Sequence, residues 1–171
     1  MKKPHSVKKS FEIRPARKDE LNLIQELAYE IWPAYYTTII SFDQIEYMLR
    51  NLYSLEALEG LVEGGSSFYL ATEGEKAVGF LGLKKMSPED LHIEKLYLLQ
   101  SSRGKGYGKM LVEFAREEAK KQNCKYLTLN VNRFNESLWF YRALGFEVRK
   151  EVDIPLGPYL LTDFIMEKSP A

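Results

Sequence analysis

Lys95-Leu96-Tyr97-Leu98-Leu99, followed after three polar residues by Arg103-Gly104-Lys105-Gly106-Tyr107-Gly108, is the stretch on which the reading of this chain turns. An apolar strand runs into a turn with three glycines in five positions, where the backbone is free to take φ > 0 and to bring its N–H groups close to a ligand. Beyond it Tyr107, Met110, Leu111, Phe114, Ala115 and Ala119 recur at helical spacing, with Lys109, Glu113, Arg116, Glu117, Lys120 and Lys121 between them. The spacing predicts a helix with one buried face. A glycine turn opening a helix presents unsatisfied N–H groups and the positive end of the dipole, which suits phosphate or pyrophosphate.

Two common phosphate motifs fail on this turn. A P-loop needs glycine five residues before the Gly108 of Gly108-Lys109, where Arg103 stands, and Met110 occupies the place of the magnesium-binding hydroxyl. A dinucleotide fingerprint needs Gly-x-Gly-x-x-Gly, whereas Gly104, Gly106 and Gly108 are spaced Gly-x-Gly-x-Gly.

Working outward, Phe11 and Ile13 before Pro15 predict a short first strand. Asp19 is expected to cap a helix through Leu21, Ile24, Leu27, Ala28, Ile31 and Trp32 that stops before Pro33, leaving residues 34–38 as an aromatic link. Ser41 with Gln44 reads as a capping box for a second helix, and residues 55–62 add a third, ended by Gly64-Gly65. The period then becomes strand-like. Residues 68–72 and 77–85 form a hairpin, 91–99 a strand leading to the glycine turn, and 126–131 a buried strand. A short helix at 135–144 precedes two strands, 146–154 and 160–166, separated by Pro155-Leu156-Gly157-Pro158. The 171 residues predict one mixed α/β domain with a mixed, largely antiparallel sheet of six to seven strands flanked by helices, and a frayed tail at residues 1–9.

Composition narrows the partners. Lys plus Arg and Asp plus Glu both total 24, which gives no basic field for nucleic acid. The single Cys124 excludes a disulfide framework and a multi-cysteine zinc site, and no metal is expected. No run resembles a signal peptide or membrane span, so a cytoplasmic protein without a membrane partner is the default.

Arg103-x-x-Gly106-x-Gly108 after this strand resembles the Arg/Gln-x-x-Gly-x-Gly/Ala signature of the GNAT superfamily of acyl-CoA-dependent N-acyltransferases. Asn135-Glu136-Ser137-Leu138-Trp139-Phe140-Tyr141-Arg142-Ala143-Leu144-Gly145-Phe146 is similar to that superfamily's Asn-x-x-Ala-x-x-Phe-Tyr-x-x-x-Gly-Phe block, with Ser137 and Leu138 where a small residue is usual. The two motifs stand in the family's order and separation.

The resemblance implies an acetyl-CoA-dependent N-acetyltransferase in which an amine attacks the thioester directly in a ternary complex. The backbone N–H groups of Arg103, Gly104, Lys105, Gly106, Tyr107, Gly108 and Lys109 would hold the CoA pyrophosphate. Leu96, Tyr97 and Leu98 would splay from residues 127–131 and offer main-chain groups to the pantetheine and the thioester carbonyl. Asn135 would contact the cofactor, or serve as a helix N-cap. Tyr141, with a reference pKa near ~10, is the family's usual acid for the departing thiolate, or a core contact.

An alkyl amine of pKa ~10.4 carries a proton at pH 7, and losing it costs about 4–5 kcal/mol. Glu94 lies at even spacing from Leu96 and Leu98 and is a candidate base; His92 shares that parity, and ordered water is the third route. Trp32, Tyr35 and Tyr36 would line the acceptor site. Residues 45–49 and 53–54 look like a bacterial subgroup that includes spermidine/spermine acetyltransferases, for which Glu30, Asp43 and Glu46 would supply anionic contacts. Acylation of a protein N-terminus or lysine, and a non-catalytic acyl-CoA-binding module, are the alternatives. A homodimer built on the last strand pair is a further expectation.

Overall fold

The computed structural model describes residues 10–171; the expected tail at residues 1–9 lies outside them. Strand β1 (Phe11–Pro15) leads through a single 3-10 turn into helices α1 (Leu21–Tyr36), α2 (Phe42–Leu52) and α3 (Leu55–Glu63). Strands β2 (Ser67–Glu73), β3 (Lys76–Ser87) and β4 (Asp90–Leu98) follow, then α4 (Tyr107–Lys121), β5 (Tyr126–Asn132), α5 (Ser137–Ala143), β6 (Glu147–Leu156) and β7 (Tyr159–Lys168). The strands form one seven-stranded sheet in the order β1-β2-β3-β4-β5-β7-β6, antiparallel everywhere except between β4 and β5. The expected fold class is thereby met.

Helices cover both faces. Phe80 and Tyr97 are partners across β3 and β4 and pack towards Tyr53 and Trp32, with Tyr53–Phe80 centroids 6.0 Å and Trp32–Tyr97 centroids 5.7 Å apart. Tyr69 is one residue out of phase with Leu70, the partner of Phe80, so it points the other way and meets Phe114 of α4 at 4.7 Å. No helix among the described residues is long and apolar enough to cross a membrane.

Three local expectations are corrected. Asp19 does not cap α1: Arg17 and Glu20 form the capping interaction of the preceding turn, Glu20 is the N-cap residue of α1, and Asp19 pairs with Arg17 at 3.1 Å. Glu20 is claimed by Arg14 at 2.7 Å, and that hydrogen bond pulls its carboxyl down to about 2. The helix also runs through Pro33 to Tyr36. An interior proline costs about 3 kcal/mol, but the extra turn places Tyr36 4.5 Å from Trp32 and 6.3 Å from Tyr97, aromatic pairs that contribute roughly 0.5–1.5 kcal/mol each beyond their buried area. The carbonyl deprived of its donor belongs to exposed Tyr29, where water can satisfy it. Finally, β6 runs on to Leu156, and Pro155 pairs in register with Leu160. The sheet tolerates this because β6 is an edge strand.

Two irregularities in β4 shape the site. Gly82 pairs with Lys95 but Leu83 pairs with Ile93, so Glu94 is an extra residue, a β-bulge. The parallel ladder with β5 contains only Asp90–Tyr126, Leu91–Leu127, His92–Thr128 and Ile93–Leu129, after which the two strands diverge. The splay expected at Leu96–Leu98 is therefore a feature of the sheet.

Candidate active site

The divergence of β4 from β5 opens a cleft of about 950 Å³ lined by the end of β4, the last turn of α1, the glycine turn and α5. Gly106 is the N-cap of α4 with φ +82°, a left-handed conformation that favours glycine. A Cβ at Gly104 or Gly106 would meet nothing within 4 Å, so the turn's backbone lies open. The first helical bond of α4 is from Met110 N to Gly106 O, which leaves the preceding N–H groups directed out of the helix end.

The turn is moored to the sheet. Tyr107 donates its hydroxyl to Glu73 at the end of β2, the Lys105 ammonium lies 3.3 Å from the same carboxylate, and the Tyr107 ring stacks on Phe11 at 3.9 Å. Arg103 lies over the Tyr35 ring at 4.3 Å. The Tyr35 hydroxyl in turn reaches Ser137 Oγ and Asn135 Oδ1. The last turn of α1, which exists because the helix passes Pro33, thus bridges the glycine turn and the start of α5.

Asn135 is buried and its Oδ1 accepts the backbone N–H of Ser137 at 2.9 Å, the geometry of a cap at the start of α5. Tyr141 lies one turn further along α5, between the rings of Phe140 and Phe146 at 5.1 and 5.7 Å. Its hydroxyl makes no hydrogen bond to another described residue, its side chain lines the cleft, and burial pushes the phenol well above its usual pKa. A phenol in that state stays protonated.

A second, inner recess of about 190 Å³ continues from the cleft. The two share Tyr35, Leu96, Tyr97, Asn135, Ser137 and Tyr141. The recess is walled by Trp32, Tyr36 and Tyr53, and the hydroxyls of Tyr36 and Tyr97 lie 2.9 Å apart. Glu94 opens onto the recess, with Oε2 accepting from Ser66 Oγ at 2.7 Å.

His92 takes no part in either cavity. The bulge breaks the alternation, so that Ile93, Leu96 and Leu98 share one face through their partners Leu83, Leu81 and Gly79, and His92 is on the other. Its Nδ1 meets Thr128 Oγ1 at 2.7 Å. Because that hydroxyl donates its hydrogen to Asp90 at 2.6 Å, His92 Nδ1 must be the protonated donor. Burial lowers the His92 pKa.

Glu30, Asp43 and Glu46 are exposed and line neither of these cavities. The recess carries instead Glu94 and Asp163 of β7. Burial pushes the Asp163 carboxyl above its usual range, against a 3.5 Å hydrogen bond from Asn130 and the nearby charge of Arg133. Asp163, Lys95 and Ser137 line the recess, and reading the sequence alone does not pick them out. The one available signal is that Ser137 and Leu138 stand where a small residue is usual in their block.

The model of the acetyltransferase (GNAT) family matches residues 22–146. An uncharacterized N-acetyltransferase of Lactobacillus delbrueckii subsp. lactis is 36% identical over 61% of this chain, an alignment that spans only 65% of that protein. The peptidyl-lysine N-acetyltransferase YjaB of Salmonella typhimurium is 36% identical over 73% of this chain and 83% of its own length. The spermidine N(1)-acetyltransferase of Thermoplasma acidophilum is 32% identical over 93% of this chain and 97% of its own. Among solved structures, the PaiA N-acetyltransferase of Thermoplasma acidophilum, crystallised in complex with coenzyme A, superposes with a TM-score of 0.81 at 31% identity, covering 94% of this chain and 99% of that one.

Proposed function

Because the chain belongs to the acetyltransferase (GNAT) family, we propose that it transfers an acetyl group from acetyl-CoA to the primary amine of a small molecule, by direct attack in a ternary complex. The observation that carries this reading is the divergence of β4 from β5 beyond Ile93 and Leu129, bounded at one end by the glycine turn and at the other by Tyr141. When bound, acetyl-CoA supplies a thioester that the amine can attack and a thiolate that can leave.

The chain's own residues do the rest. The N–H groups from Arg103 to Lys109, with the dipole of α4 behind them, hold the pyrophosphate. Main-chain groups of Leu96, Tyr97 and Leu98, left without a β5 partner, pair with the pantetheine arm and donate to the carbonyl oxygen as charge develops on it. Tyr141 protonates the thiolate: its raised pKa keeps the phenol protonated throughout the working range. Glu94 takes the amine proton, directly or through a water, with one oxygen steadied by Ser66. Asn135 acts by setting the start of α5 and the position of the Tyr35 hydroxyl. Trp32, Tyr35 and Tyr36 wall the acceptor end.

A polyamine acceptor is a second reading, favoured by the two carboxylates of the recess and by the name of the Thermoplasma relative. The test is release of free thiol from acetyl-CoA against a panel of spermidine, diamines, amino acids and lysine peptides. A rise in thiol with at least one small amine, accompanied by the acetylated product, is expected. Release that no amine accelerates would remove the enzymatic reading.

Glu73 gives a further expected outcome. Glu73→Gln weakens the mooring of Lys105 and Tyr107, so the KM for acetyl-CoA rises several-fold while kcat at saturation stays near wild type, as steady-state kinetics with the donor varied will read.

A further inference from the structure

Two hydrogen-bond donors in the inner recess meet no acceptor. The Trp32 side chain is 4% exposed, and its indole N–H turns towards the Tyr53 hydroxyl without reaching any acceptor in hydrogen-bond geometry. The Lys95 ammonium lies 4.4 Å from the centre of the Tyr53 ring and has no hydrogen bond or ion pair among the described residues. Both side chains line the same recess and both contact the Tyr53 ring. We propose that Trp32 and Lys95 form a carboxylate-binding subsite, so that the acceptor is a primary amine that itself carries a carboxylate. The proposal rests on the acetyltransferase reading and narrows its substrate class.

Buried donors are ordinarily satisfied, and a buried indole N–H left open beside a half-buried ammonium on the same cavity wall marks where a ligand oxygen belongs. A carboxylate accepts from both an ammonium and an indole N–H and neutralises the former. A second ammonium, such as the far end of a polyamine, would instead be repelled by Lys95 and leave the indole N–H without an acceptor.

The other charged groups facing Lys95 are consistent with this assignment. Glu94, next to it on β4, has an oxygen committed to Ser66. Tyr53 and Tyr97 are phenols whose pKa burial raises, so they stay neutral. Asp163, on β7, is a second carboxylate of the recess, available to the amine end of the acceptor together with the free oxygen of Glu94. Burial holds the Lys95 ammonium down to about 8 while Glu94 acts in the opposite direction. The charge is therefore present below that pH and lost above it, and a bound carboxylate will raise it.

Three acceptors of equal length separate the cases: 5-aminopentanoate, its amide, and 1,5-diaminopentane. With the wild-type enzyme the aminocarboxylate is expected to give the highest kcat/KM, and its advantage over the amide is expected to shrink above pH 8–9. Lys95→Met, which keeps the length and apolar packing of the stem, is expected to raise KM for the aminocarboxylate at least tenfold. It should leave the amide unchanged and the diamine unchanged or improved.

A merely structural role for Lys95 would weaken all three acceptors alike, and that result overturns the proposal. So does a wild-type preference for the diamine. If no amine accelerates thiol release, the enzymatic reading is what fails. Calorimetric binding of 5-aminopentanoate to the CoA-saturated protein then decides the subsite: binding lost in Lys95→Met upholds it, and no binding, or binding unaffected by the substitution, overturns it.

Discussion

Tyr141→Phe is expected to lower kcat by roughly 10²–10⁴-fold, the range over which a positioned general acid contributes, while leaving the affinity for CoA within a factor of a few. The phenylalanine keeps the ring between Phe140 and Phe146, and the lost hydroxyl has no hydrogen-bond partner among the described residues whose loss would disturb the fold. Equal thermal midpoints, equal CoA binding by calorimetry and a collapsed kcat would identify the hydroxyl as a participant in chemistry. Two outcomes would count against the role: a variant with near wild-type turnover, or a wild-type protein that binds CoA and never turns over. The second would leave a binding module. The effect should also be larger for thioesters whose thiol is a poorer leaving group, since protonation matters most there.

The second large effect is expected at a glycine of β3. Gly79 of β3 pairs with Leu98 of β4, and a Cβ there would stand 2.5 Å from the Tyr97 carbonyl oxygen and 2.7 Å from Leu98 Cδ2. Gly79→Ala must therefore push away the segment whose main chain faces the cleft. Overpacking of this kind costs about 1–3 kcal/mol, or a few degrees in the thermal midpoint at this chain length. A displacement of about 1 Å at a reacting centre costs on the order of 10² in rate. A variant that folds, melts a few degrees lower and loses kcat/KM by about that factor is the expected result, and unchanged kinetics would show that β4 need not be held where Gly79 allows it. Gly60→Ala is the control: nothing lies within 4 Å of its Cβ on α3, so stability should be kept or slightly raised.

The donor half of the candidate site is legible in the chain and the acceptor half only in part, since Trp32, Tyr35, Tyr36 and Glu94 are picked out while Lys95 and Asp163 are not, for a physical reason. The glycine turn and the Asn135–Phe146 block each draw their geometry from neighbours in sequence: a positive φ, a helix start, a capping side chain. Such features survive in a one-dimensional reading. The recess is assembled from α1, the end of α2, the bulged segment of β4 and β7, and no periodicity connects Trp32, Lys95 and Asp163. The bulge at Glu94 is the clearest instance. Strict alternation placed His92 beside Leu96 and Leu98; one inserted residue turned it to the opposite face, where Thr128 and Asp90 hold it. Pro33 misled in the same way, because the rule that ends helices before proline is local and the aromatic packing that overrides it is not.

The four-rung ladder between β4 and β5 has a consequence for the protein as a thermodynamic system. It divides the sheet into two blades, β1–β4 and β5–β7–β6, joined along Asp90–Ile93, with backbone groups on the facing margins that a guest can pair. Whatever occupies the gap binds the folded chain and not the unfolded one. Folding and occupancy are then linked by mass action, with roughly 2.7 kcal/mol added at a hundredfold excess over Kd. The chain's resistance to unfolding becomes a reading of how much ligand surrounds it.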